Sequence, residues 1–536
     1  MQVLKSITLV VNQRNILLVS LLTLLTSCAT SRVESPITDE PRISQSESQS
    51  RLIAPEILRL DADQLVKRVI EVHPEPFAIV SEQLFREKAQ LIKQSIRFPL
   101  SSSEFYLRVA PLVAMLGDIH SSLELPKYLP AQINENNVAK EAGVSSPAKL
   151  FPLAVLYEDD DVYVAADLSE FPQVPVGAII SSINGAPIDY LLKVMKDLTV
   201  LETESGQRRK IQVDFPWLIS VMGYARSEYE IAYQWQNQQI TQIIQGIVPP
   251  KTQNEEALVD SSGIINQSGS QGSFYGDSFL TDKTALLWFN DFKEDPQIFS
   301  EFLERQFQKI NRRQIQNLII DVRYNEGGLS QNIKSLLAYL TEKPIFWSQS
   351  GQINISKPLK ALHRQKTRQR RKNKYQWGLQ WLPLEWTDSL LYEVSWSEVG
   401  QKVDVEFEKV RPHQTFTPLK TAVLTNGFCY SACSSFVATV NHYGLAETIG
   451  EVTGSYARVQ YAYPLVTRLT HSQLKLALPT MKLIFDSKNR DRQLIVTGKD
   501  NLISPDILVQ RNSQQVIERQ DLSLTTAILR IESAKN

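Results

Sequence analysis

Ser431 stands between two sulfurs in the stretch Val423 to Val440, VLTNGFCYSACSSFVATV, where a strand pattern gives way to a helical one. A serine at that boundary has two readings. Its hydroxyl can cap the free N–H groups of the new helix, or it can be a nucleophile presented beside them. A helix start offers unpaired N–H groups and the positive end of its dipole, which suit a developing negative charge. A second such turn lies about a hundred residues earlier, where NLIIDVR runs into Tyr324-Asn325-Glu326-Gly327-Gly328 and a helix opening at Ser330. Paired glycines let backbone approach a ligand closely. If the two strands are parallel neighbours, the N–H of Gly327 or Gly328 and the N–H of Ala432 converge beside Ser431 Oγ as an oxyanion hole.

The elements that must position these groups form an alternating series. TALLWFNDF reads as a strand, DPQIFSEFLERQFQKI as a helix, QNLIIDVR as a buried strand, SQNIKSLLAYL as a helix, TAVLTN as a strand, and SACSSFVATVNHYG as a helix ending at Gly444. Strands alternating with helices of this length imply an α/β fold with a parallel sheet, over residues 276–536. Residues 55–148 read mostly helical, as a cap. Residues 149–250 turn to short strands, with a hairpin over Asp159-Asp160-Asp161 and an Asn184-Gly185 turn before a helix near Asp189. The run INGAPI in that region is similar to the second half of a PDZ domain. Residues 251–275 are rich in Ser, Gly and Gln and mark a linker.

A chain of 536 residues with 43% hydrophobic and 21% charged content has enough apolar material for two to four globular domains. Its formal net charge of −1 gives it no field to attract nucleic acid. The basic insertion at 357–386, with Trp377, Trp381 and Trp386 at its end, therefore reads as a solvated insertion, nucleic acid or anionic lipid being the other occupants weighed. Residues 1–28 resemble a lipoprotein signal peptide: Lys5 and Arg14 precede ILLVSLLTLLTSC, whose close looks like a lipobox with Cys28 as the lipidated residue. Residues 29–54 then read as a tether, and the expected location is the bacterial cell envelope, lipid-anchored. Cys429 and Cys433, four apart at a helix start, are expected to be small buried residues rather than a disulfide.

LIIDVRYNEGG and VLTNGFCYSACSSF with GLAETIGEVTG resemble the core of the S41 peptidases, the carboxyl-terminal processing and tricorn core proteases. SPDILV resembles that family's closing strand, and MLGDIHSSLEL its segment before the PDZ-like region. The resemblance implies a ClpP/crotonase-like core of ββα units and a serine endopeptidase acting on peptides or unfolded protein ends through an acyl-enzyme. Carried over by position, Ser431 is the nucleophile, Ala432 with Gly327 or Gly328 gives the oxyanion N–H groups, and Asp321 and Arg323 are structural. The processing proteases place a lysine after GE-x-T, and Tyr456 stands there instead, with Gln460 four residues on. The tricorn branch uses a histidine that His120 matches, and an imidazole with pKa near ~6.5 can take the serine proton. Gln460 and Glu451 are carried as auxiliary groups, and Lys475 and Lys482 as the bases left if histidine fails. No metal or other cofactor is expected. A non-catalytic peptide- or ligand-binding protein on the same fold is the alternative.

Overall fold

The computed structural model describes residues 52–127, 149–199, 201–248, 275–348, 350–376, 394–456, 458–485, 501–502, 504–510, 518 and 520–533. The signal and lipobox with Cys28, nearly all of the tether and linker, and the three tryptophans of the insertion lie outside the described residues. All described residues fall in one compact unit, 44–536.

A six-stranded sheet carries the alternating half of the chain. Its order is Ile507–Leu508, Glu447–Gly450, Lys420–Thr425, Asn317–Asp321, Thr284–Phe289, Tyr275–Phe279. The first five strands run parallel and the last is antiparallel. Asp321 lies opposite Leu424, so strands 317–321 and 420–425 end side by side, as the expected oxyanion geometry requires. These strands are continuous apolar runs because helices cover the sheet, and Leu318, Ile320 and Val423 are fully buried among helix residues such as Phe299, Leu303, Leu336 and Phe436. Asp295 caps helix Pro296–Arg312, and Gly444 at φ 61° ends helix Ala432–Tyr443.

Before this half come three helices, Pro55–Val72, Glu82–Ser95 and Ser102–Ala114. The last has a capping box between Ser101 and Glu104 and stops just ahead of Gly117 and the His120 loop. The β-rich stretch follows as a sheet ordered Leu153–Glu158, Asp161–Asp167, Ile179–Ile183, Glu228–Trp235, Gln238–Gln245. Its first hairpin turns over Asp159 and Asp160, both at positive φ, and the next turn over Asn184 and Gly185, as the turn residues indicate. These two regions share one hydrophobic core, in which Leu65, Phe105 and Val113 pack with Phe151, Leu191 and Ile231. A third sheet joins the halves: its long hairpin, Val459–Arg468 and Lys475–Ile484, puts Leu465 and Leu476 in that core and Met481 and Leu483 in the core of the parallel sheet.

The described part of the insertion is a helix, Lys357–Gln376, which lays Leu359 against one core and Leu362 against the other. Cys429 and Cys433 are fully buried, as expected, but they form a disulfide, which corrects the reading of two free thiols. Cys429 precedes the helix on the turn, so the two Cα atoms stand 5.2 Å apart, inside the range a disulfide spans.

Candidate active site

Two turns at the carboxyl ends of the neighbouring strands are stitched together. Tyr430 N–H donates to the Asn325 carbonyl at 3.0 Å and Tyr324 N–H to Asn426 Oδ1 at 3.2 Å. Gly327, at φ 92°, comes so close that a Cβ there would lie 2.8 Å from the Tyr430 carbonyl oxygen and 2.9 Å from Ala432 N. Gly328, at φ 148°, would put a Cβ 2.3 Å from the Phe292 backbone. Both glycines are therefore required by close approach as well as by φ. Gly327 N–H is committed to Asn325 Oδ1 at 2.8 Å. The N–H groups of Gly328 and Ala432 have no acceptor among the described residues, leaving them as the two open donors.

Ser431 occupies the N-cap position, yet its hydroxyl caps nothing. Its backbone is held at φ 50°, ψ −117°, a conformation rare for a residue with a Cβ. Its N–H donates to Ser455 Oγ at 2.9 Å, and Ser455 donates to Ser434 Oγ at 2.8 Å, which pins the turn from behind. The hydroxyl instead lies 3.0 Å from Nε2 of His120, 311 residues away in sequence.

His120 sits on the loop between helix Ser102–Ala114 and strand Ser122–Leu123. Asp118, fully buried, turns this loop by accepting the N–H groups of His120 at 3.0 Å and Ser121 at 2.9 Å. Its other oxygen meets His73 Nε2 at 3.1 Å, while His73 Nδ1 accepts the Glu75 N–H, so the His73 proton sits on Nε2 and points at Asp118. Burial raises the Asp118 pKa, but the hydrogen bonds of His73 and Ser121 outweigh it and hold the carboxyl below its ordinary range. Burial lowers the His120 pKa below its ordinary value, against the opposing charge of Asp118 and the nearby Tyr461 backbone. A neutral imidazole with a free electron pair facing Ser431 is the consequence. Asp118 accepts hydrogen bonds from the loop backbone and reaches the His120 ring through its charge, while the Tyr461 backbone lies against the enclosed imidazole.

The remaining residues are placed elsewhere. Gln460 accepts from Ser435 Oγ at 2.8 Å and donates to the Tyr456 carbonyl, supporting the helix rather than reaching Ser431. Glu451 pairs with the buried Arg209 at 2.8 Å and accepts Gly427 N–H at 3.2 Å, under the Ser431 turn. Arg323 joins Asp321 to Asp521 at 2.6 and 2.7 Å, a structural pin as expected. Lys475 pairs with Glu124 at 2.8 Å, and Lys482 with Glu75 at 2.9 Å. Tyr456, in the lysine's place, is buried, and its N–H rather than its ring serves the site by donating to Glu202. The sequence carried no signal for Glu202, His73 or Ser455, because each is brought in by tertiary contact alone. Among the described residues no group of three or more His, Cys, Asp or Glu is arranged to hold a metal ion.

A strand-turn-helix serine facing a histidine at the edge of a parallel sheet is an arrangement that can support nucleophilic chemistry. Residues 283–509 match the family model of peptidase family S41. Among solved structures the chain is similar to mature CPAF, at 14% identity over 90% of this chain and 99% of that one with a TM-score of 0.60. It is likewise similar to mature CPAF complexed with lactacystin, at 14% identity over 89% and 98% with a TM-score of 0.61. At this identity the likeness is one of fold. No curated protein matches the chain in sequence.

Proposed function

We propose that the protein is a serine endopeptidase in which Ser431 attacks the scissile carbonyl and His120 is the general base. The supporting observation is the 3.0 Å contact between His120 Nε2 and a Ser431 hydroxyl that declines its capping role. Ser431 Oγ–H passes its proton to His120 Nε2 as the oxygen bonds to the carbonyl carbon, and the oxyanion meets the Gly328 and Ala432 N–H groups. His120 then returns the proton to the leaving amine, leaving an acyl-enzyme that water opens by the same route. Lysine has no part in this mechanism, since Lys475 and Lys482 are held by carboxylates elsewhere.

Peptides or unfolded protein ends are the substrates this reading assigns to the site. Capture of an extended chain by β-addition, if it uses the β-rich region, falls on the exposed Gln238–Gln245 edge. The opposite edge, Leu153–Glu158, is wholly buried, with Gln212 of helix Glu204–Ile219 accepting the Tyr157 N–H. Casein turnover by four purified forms tests the reading. Ser431→Ala, His120→Ala and the double variant should all fall by roughly 10³-fold or more and to the same floor, because groups acting as one unit are not additive. Full activity in either single variant contradicts it.

A further inference from the structure

We propose that Glu202 is a positioning residue that holds His120 and Ser431 at reacting distance by tying to one carboxyl group the backbone beside His120 and the backbone beside Ser455, the acceptor of the Ser431 N–H. The inference rests on the peptidase reading and adds to it a residue outside the S41-like region. Glu202 lies between the helices Ile188–Leu198 and Glu204–Ile219, on the β-rich part of the chain, and is buried. One carboxyl oxygen accepts the N–H of Ile119 at 3.1 Å, next to His120. The other accepts the N–H of Tyr456, next to Ser455. Ser455 in turn receives the Ser431 N–H at 2.9 Å. These links close a ring: Ser431 to His120, His120 through Ile119 to Glu202, Glu202 through Tyr456 to Ser455, and Ser455 back to Ser431. In a closed ring no link is set alone, so the span of the carboxyl fixes how far the imidazole can move from the hydroxyl.

The same carboxyl can change charge. Asp118 faces it from the His120 loop, with His73 behind and His120 beside, and Tyr461 faces it from strand Val459–Arg468. No cation pairs with Glu202 among the described residues. Burial, aided by Asp118 and opposed by the two N–H bonds, pushes its pKa up to about 8. On ionising, it makes both backbone bonds charge-assisted and adds a negative charge that favours the imidazolium formed as Ser431 is deprotonated. Reactivity should therefore rise in two steps with pH, the first from His120 below its ordinary range and the second near 8 from Glu202.

The experiment measures the phosphonylation rate of Ser431 by a fluorophosphonate from about pH 5 to 9, with the titration of the ¹³C-labelled His120 ring followed by NMR. Wild type should show both steps in rate and a second ring inflection near pH 8. Glu202→Gln should lose the upper step and react about tenfold more slowly at alkaline pH, one lost positioning bond being worth about that factor. A wild-type ring with one inflection, or a Glu202→Gln profile that overlays wild type, overturns the proposal. If Glu202→Gln does not fold, the wild-type profiles decide alone. Absence of labelling at every pH would instead strike the peptidase reading, and the ring titration would still decide whether Glu202 is coupled to His120.

Discussion

Ser431 adopts a backbone that costs about 1–3 kcal/mol for a residue with a side chain, and such strain persists only where its surroundings over-determine it. The Ser455 and Ser434 hydroxyls, the disulfide from Cys429 to Cys433 and the Asn325 carbonyl supply that determination. The serine's chemistry could be suspected from sequence, but its choice between cap and nucleophile could not, because both place a serine at the same position. Lys482 shows the converse. Sequence position made it a candidate base, whereas in the fold it is a buried ammonium balancing Glu75, which also accepts the Tyr461 hydroxyl at 2.9 Å. Lys482→Met should leave Glu75 without its cation and lower stability by about 3–5 kcal/mol in denaturant melts. Phosphonylation of Ser431 in the variant, below its melting temperature, should stay within severalfold of wild type; abolition of labelling in a folded variant would return lysine to the mechanism.

At the scale of elements, the two glycines separate by what each one approaches. Gly327 faces the Ser431 turn, whereas Gly328 presses on the Phe292 backbone beside the sheet. Gly327→Ala should therefore cut turnover by roughly 10²–10³-fold with a modest loss in Tm, since it displaces Tyr430 and Ala432. Gly328→Ala should act first on Tm, through strain and collision with backbone. Equal melting temperatures and wild-type turnover in both variants would reduce the glycines to ordinary turn residues. The strands and helices that carry these turns were legible because buried parallel strands and amphipathic helices have distinct periods. The disulfide was not: spacing suggested helix geometry for both cysteines, while Cys429 in fact belongs to the turn.

Across the whole molecule the candidate site is assembled from parts with no sequence proximity. The His120 loop leaves the N-terminal helices, Glu202 comes from the β-rich region, and Ser431 stands on the parallel sheet. The long hairpin lodged in both cores keeps those parts in register. That sharing explains why domain boundaries read from composition describe the chain's segments but not its cores. The envelope location through Cys28 is a proposal that stands on the sequence alone. Cys28→Ala should move the protein from the membrane fraction to the soluble one or leave the precursor uncleaved; wild-type protein found wholly soluble with residue 28 unlipidated would contradict the anchor.

Mass spectrometry of the purified protein after exposure to a fluorophosphonate at about pH 7.5, where a neutral imidazole can act as base, tests the central claim most directly. Wild type should gain a single adduct, on the peptide that carries Ser431. His120→Ala should gain essentially none in the same time, because a serine hydroxyl without its base is a poor nucleophile. No adduct on wild type, an adduct on a different serine, or equal labelling of His120→Ala would contradict the account.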